Sequence, residues 1–154
     1  MVRSLAGRFT CGEEELPQAV ERLQAQADAH FKALRAVQSE LVAAEAARLL
    51  AVAGPTRVVS AAYPGWDGEQ VKQLAQALRS QPGLIIALAG GANQVLVARS
   101  ADVAFDAGQA LRSALAAVGG GGGGRPDFAQ GAAPNWEAAR QALNNISATS
   151  AAPN

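Results

Sequence analysis

The sequence predicts an α/β protein: a long N-terminal helical arm, coiled-coil-like, followed by a small globular domain with a few-stranded mixed sheet and helices. Three observations carry that expectation. Leu16, Val20, Leu23, Ala27, His30, Leu34, Val37, Leu41 and Ala44 recur in alternating steps of four and three residues, a heptad seam. After Gly54-Pro55 the period changes, and the segments Thr56 to Ala62 and Leu84 to Ala89 carry the β-branched and continuously apolar runs of strands. Six consecutive glycines, Gly119 to Gly124, then end abruptly in Arg125-Pro126-Asp127.

Each element follows from its own residues. Residues 1–15 have no clear period and form a leader. The arm spans residues 16–54: Pro17 is tolerated in a first helical turn, Glu13, Glu14 and Glu15 favour its N-terminus, and Gly54-Pro55 stops it. A helix of this length cannot bury its stripe against itself; it either packs on its own globular domain or, as the length of the stripe favours, self-associates, with Val20, Leu23, Ala27, His30, Leu34, Val37 and Leu41 as the expected dimerisation seam. The globular part covers residues 55–146. Within it, Thr56 to Ala62 is the first strand and Pro64-Gly65 a turn. A helix starting at Asp67 or Gly68 puts Val71, Leu74, Ala75 and Leu78 on one face, and Pro82-Gly83 breaks it. Leu84 to Ala89 is a strand buried on both faces, and Gly90, Gly91 and Asn93 turn it into a second strand, Gln94 to Arg99. Asp106 caps the next helix, which buries Leu111 and Leu115. The glycine loop follows, and Pro134-Asn135 opens a last helix, Trp136 to Ile146. Residues 147–154 read as a disordered tail.

On composition alone the glycine run reads as a mobile loop between two helices; the alternative is a binding loop, and there chemistry is expected. A backbone without Cβ atoms can curl so that several N–H groups point into one concavity, which suits an anion such as phosphate. Arg125 adds a charged fork beside it, Pro126 stiffens the exit, and Asp127 can cap or orient the next segment. No Gly-Lys-Ser/Thr follows the run, so it is not a Walker A loop; it follows a helix, which argues against a dinucleotide fingerprint. Composition narrows the classes further. With 13 Lys and Arg against 13 Asp and Glu, the chain lacks the bulk cationic charge of a strong nucleic-acid binder, and any RNA contact must be local. The single cysteine, Cys11, forbids an internal disulfide and fits a reducing cytoplasm. No apolar run approaches the roughly 20 residues that span a bilayer.

The segment GGGGGGRPDFAQG resembles the glycine-rich signature of alanyl-tRNA synthetases and of the larger free-standing alanyl-tRNA editing proteins. In them it lies near the C-terminus, in the DHH-associated domain also found in DHH-type phosphoesterases and nucleases. The stretch VKQLAQALRSQPGLIIALAGGANQVLVARSADVAFDAGQALRSALAAV, residues 71–118, is similar in its order of helix, strand, turn, strand, helix and glycine loop. GEEELPQAVERLQAQ resembles the exit from an editing domain into a long helix, so a fragment of a longer protein is the expectation. Two positions depart from the pattern. Gly121 stands where the family often has lysine, and Ala132-Ala133 where it often has further glycines, which removes potential phosphate contacts.

The resemblance implies a non-catalytic module that dimerises through its arm and docks tRNA, tRNA-Ala above all, for catalytic domains of a parent enzyme. Gly121, Gly122, Gly123, Gly124 and Arg125 would meet phosphate, with Asp127 beside them and Gln130 reaching a base edge or a 2′-hydroxyl, unless Arg125 and Asp127 pair with each other or a helix end and Gln130 is merely solvated. Phe128, Tyr63 and Trp66 are open to stacking on bases or to packing in the core. The family's editing site is built from three histidines and a cysteine; with only His30 and Cys11 this chain cannot assemble it, and no metal or cofactor is called for. His30 falls on the apolar seam, as a packing or interhelical hydrogen-bonding residue. Two other classes compete: a purely structural dimerisation unit, and the substrate-binding half of a DHH-type phosphoesterase or nuclease that would hold a short oligonucleotide.

Overall fold

A computed structural model describes residues 15–53 and 57–151. Residues 1–14 of the leader with Cys11, residues 54–56 with the Gly54-Pro55 stop and the expected strand start at Thr56, and residues 152–154 lie outside the described residues. In chain order the elements are α1 (Leu16–Val52), β1 (Val58–Tyr63), α2 (Gly68–Arg79), β2 (Ile85–Gly90), β3 (Gln94–Arg99), α3 (Ala107–Ala116), β4 (Gly121–Arg125), β5 (Phe128–Ala132) and α4 (Trp136–Ala151). The chain divides into two units, separated inside α1 between Glu40 and Leu41.

In the first unit the described residues form the N-terminal part of α1. Val20, Leu23, Leu34 and Val37 of the seam are exposed there, as is Phe31, which the seam did not include. In the second unit the last turns of α1 do pack, but through Val42, Ala46 and Leu49, which are buried, while the seam residues Leu41 and Ala44 stay exposed. The seam is thus not the stripe that faces the sheet. Tyr63 fastens this end of α1 by donating its hydroxyl hydrogen to Glu45 Oε1 at 2.6 Å, and Arg48 grips the same carboxylate at 2.6 and 2.8 Å.

The sheet has five strands in the order β1-β2-β3-β5-β4. β1 and β2 are parallel, joined over one face by α2, and the remaining pairs are antiparallel. Helices cover both faces, so the central strands carry apolar residues on both sides. Ile86, Leu88, Leu96 and Ala98 pack with Val71, Leu74, Ala75 and Leu78 of α2 and with the end of α1. Ala87, Ala89, Val95 and Val97 pack with Leu111 and Leu115 of α3 and with Ala139, Ala142, Leu143 and Ile146 of α4. Polar side chains start the helices where expected. Asp67 and Gln70 form a reciprocal capping box at α2, Asp106 accepts from Gln109 N at 2.8 Å, and Asn135 accepts from Ala138 N at 2.9 Å.

Four local expectations are corrected. The glycine run does not curl into a loop: Gly121 to Arg125 is an extended edge strand, zipped antiparallel to β5 from Gly121↔Ala132 to Arg125↔Phe128. An unpaired backbone is costly, and a strand already beside it offers the ladder. The hairpin turn owes its left-handed backbone to Ala92 (φ 56°) and Asn93 (φ 59°), not to Gly90 or Gly91. Those two glycines serve close approach instead, since a Cβ on Gly90 would strike Val71 and one on Gly91 the carbonyl oxygen of Trp66. The last helix continues past Ile146 to Ala151, its Ser147, Thr149 and Ser150 hydroxyls donating to the carbonyls one turn back. The sheet, finally, includes β4 and β5, where the side-chain pattern predicts loop.

Candidate nucleic-acid interface

The site is built on the β4–β5 hairpin. Pairing places Gly121, Gly123 and Arg125 on one face with their partners Ala132, Gln130 and Phe128. That is the face α2 covers over β2 and β3; on β5 the cover reaches Phe128, which packs against the same cluster, and leaves Gln130 and Ala132 exposed. The glycine tract therefore splits by parity. A Cβ on Gly121 or Gly123 would meet nothing within 4 Å, whereas one on Gly122 or Gly124 would come within 3.0 Å of β5 backbone atoms. Gly122 and Gly124 are glycine because the fold leaves no room, with α3 also pressing its own Gly108 against the Gly124 carbonyl. Gly121, which is exposed, and Gly123, which is half-buried, have open space where a side chain would stand.

Charge gathers at the tip of the hairpin. Asp127 accepts from Arg79 Nη2 at 2.9 Å and, more loosely, faces Arg125 Nε at 3.3 Å. Arg79 is further held by the carbonyl oxygen of Arg99 at 3.2 Å and lies over the Phe128 ring, 5.8 Å from its centroid. Arg99 spends its guanidinium on main-chain carbonyls, those of Pro126 at 3.2 Å and Val103 at 2.8 Å among them. Arg125 differs from both, with 79% of its side chain exposed and two long contacts to the Asp127 carboxylate, from Nε at 3.3 Å and Nη2 at 3.4 Å. It is the cation here that can turn to a phosphate at little cost. Partial desolvation pushes the Asp127 carboxyl up, but Arg125, its own backbone N–H and Arg79 outweigh that and hold it below the ordinary carboxylate value.

The structure thus puts Gly121, Gly123, Arg125 and Gln130 on one face, with Gly123 half-buried and the other three exposed. Gly122 and Gly124 are exposed as well but leave no room for a side chain, and Asp127 lies beside them at the hairpin tip. Phe128 is half-buried under Arg79, an anchor more than an open platform. Tyr63 and Trp66 stack on each other at 4.4 Å, with Tyr63 bonded to the long helix, so packing accounts for both. Burial and the Glu45 carboxylate keep the Tyr63 hydroxyl protonated far above its usual range. Sequence reasoning missed Arg79 and Arg99, which lie 48 and 28 positions from Asp127. No local pattern signals them, because their meeting depends on how α2 and β3 fold together. Among the described residues, no three His, Cys, Asp or Glu side chains gather where they could hold a metal ion.

Comparison with known proteins fixes the family. The DHHA1 domain model matches residues 54–151, covering the whole sheet and the helices α2 to α4. The chain belongs to the DHHA1 domain family. This DHHA1 domain and its arm are 36% identical over 141 residues to the alanine–tRNA ligase of Thermosynechococcus vestitus, covering 84% of this chain and 16% of the ligase. They are 31% identical over 145 residues to that of Psychrobacter cryohalolentis, covering 86% of this chain and again 16% of the ligase. The chain therefore spans about a sixth of the length of these relatives. Among solved structures it shares the fold of RecJ from Thermus thermophilus, crystallised with Mn2+, at a TM-score of 0.58 and 20% identity, over 99% of this chain and 27% of RecJ. The resemblance read from the glycine signature agrees with both the family and the ligase relatives. No helix among the described residues is long and apolar enough to cross a membrane.

Proposed function

We propose that this DHHA1 domain is the tRNA-docking and dimerisation module of an alanyl-tRNA synthetase or alanyl-tRNA editing protein of the cytoplasm, without catalytic activity by itself. The observation that carries it is the open face of the β4–β5 hairpin. Gly121 and Gly123 have open space where side chains would stand, Arg125 is largely exposed at one end with only a long pairing to Asp127, and Gln130 lies opposite Gly123. A phosphate of the RNA meets Arg125, the sugar–phosphate backbone lies on the glycine shelf, and Gln130 reaches a 2′-hydroxyl or base edge. The similarity to alanine–tRNA ligases supports tRNA as the ligand and the catalytic domains of such an enzyme as the other partner. The exposed apolar seam of α1 supports a homodimer. The module supplies affinity and position, and aminoacylation or deacylation belongs to other domains.

The test is binding of the purified chain to folded tRNA at several salt concentrations, beside Arg125→Ala and a short single-stranded oligonucleotide. Salt-sensitive binding that prefers tRNA and weakens in the variant is the expected result. Preference for the oligonucleotide would favour an oligonucleotide-holding domain. Absence of binding to either, with a dimer still present, would leave a scaffold.

A further inference from the structure

Resting on the dimerisation reading above, we infer that the α1 seam pairs with the same seam of a second copy running in the opposite direction. Over the first unit that seam is bare: Leu23 and Leu34 are each 53% exposed and Val37 62%. Its borders are uncharged up to Ser39, and Glu40 at the next g position carries the one charge there. With the seam at heptad positions a and d, the flanking e and g positions from Gln18 to Ser39 hold Ala19, Gln24, Gln26, Phe31, Ala33 and Gln38. The charged residues of that stretch, Glu21, Arg22, Asp28, Lys32 and Arg35, all fall on the outer positions b, c and f. Such a face is cheap to remove from water, and it carries no charge pattern with which to choose a differently charged partner.

The order of the seam chooses the partner and its direction. Around the point between Asp28 and Ala29 the seam is a palindrome in spacing, and in residue type at every pair but the central one. Ala27 and His30 are equidistant from it, then Leu23 and Leu34, then Val20 and Val37, then Leu16 and Leu41. A two-fold axis through that point, perpendicular to the helices, lays leucine on leucine and valine on valine, as a parallel pair also does, so the central layer decides the direction. Each His30 then lies opposite the partner subunit's Ala27, the bulkiest polar residue against the smallest. A parallel pair would instead set two imidazoles against each other in one layer and two alanines, with a gap, in the next, which close packing disfavours. The seam from Leu16 to Leu41 extends about 38 Å at the helical rise, and a strip ~10 Å wide gives roughly 400 Å² per helix in projection. Accessible area exceeds projection, so two such strips approach the ~1,000 Å² that a specific interface requires.

Directional crosslinking tests this in the full chain on a Cys11→Ser background. One chain carries Leu23→Cys and a second, of distinguishable mass, carries Leu34→Cys; they are mixed, oxidised and weighed. The expected result is a disulfide-linked heterodimer in the mixture and no linked product from either chain alone. Linkage of Leu23→Cys with itself would mean a parallel pair, which overturns the direction and leaves the dimer standing. A monomer for the unaltered chain at every concentration in sedimentation equilibrium would overturn both. If these cysteines prevent dimerisation, Ala27→Cys mixed with His30→Cys repeats the test at the centre, where the same linkage is expected.

Discussion

At the scale of single residues, the parity of the glycine tract separates folding from binding. Gly124→Ala forces a methyl group into β5 and is expected to destabilise the domain by about 1–3 kcal/mol, as overpacking does. Gly123→Ala adds its methyl group to open space at an ordinary φ, so its stability is expected to stay level or rise by up to about 1 kcal/mol, while tRNA binding weakens. Thermal unfolding and filter binding on the same two samples check both halves. Charge acts on the same shelf. Gly121→Lys, at an exposed position with nothing within 4 Å of its Cβ, is expected to tighten tRNA binding and steepen the salt dependence by about one unit. Arg125→Ala is expected to do the reverse by the same amount, uniformly across RNA sequences. A run of identical letters hides this alternation; it becomes visible only when β5 supplies a direction for each Cβ.

At the scale of elements, the helices were the legible part and the hairpin was not. The amphipathic face Val71, Leu74, Ala75 and Leu78 and the caps at Asp67, Asp106 and Asn135 are written within a few residues of each other, so local rules find them. β4 has no side chains to signal a strand, and its existence depends on pairing with a strand that is itself only five residues long. The fastening of α1 was equally hidden, since it joins Tyr63 to Glu45, 18 positions apart, through a face that is not the seam. Tyr63→Phe removes the donor and leaves Glu45 to Arg48 alone, with an expected loss of about 1–2 kcal/mol in urea unfolding. An unchanged midpoint in that variant would mean that stacking with Trp66, not the hydrogen bond, holds the turn.

At the scale of the whole molecule, two carboxylates tie distant elements and share one pH dependence. Arg48, bonded to Glu45, outweighs the opposing effect of burial there, with Tyr63 adding a further bond. Arg125 and Arg79 do the same at Asp127 against its own desolvation. Both groups are held below their ordinary values of 4.5 and 3.8, so the folded state binds fewer protons than the unfolded chain. Their stabilisation is therefore complete at neutral pH and is lost as pH falls below about 4.5 and onward through the folded-state values. The expected outcome is a urea midpoint that drops between pH 6 and pH 3. The doubly neutralised Glu45→Gln, Asp127→Asn variant should be less stable at pH 6 and flatter with pH. Neither pairing could be read from composition, because an equal count of acids and bases says nothing about which of them meet.

The two-sided packing of the sheet ends at β5, and that asymmetry has a consequence for change over generations. Where a strand is covered on both faces, nearly every substitution is filtered by folding before any ligand is consulted. On β4 the filter acts at every second position only. Residues 121 and 123 are free to explore lysine, serine or asparagine and to retune what the surface grips, while 122 and 124 keep the frame fixed. One short strand is thus both an anvil and a keyboard, and the scaffold can acquire a different taste in nucleic acids without being rebuilt.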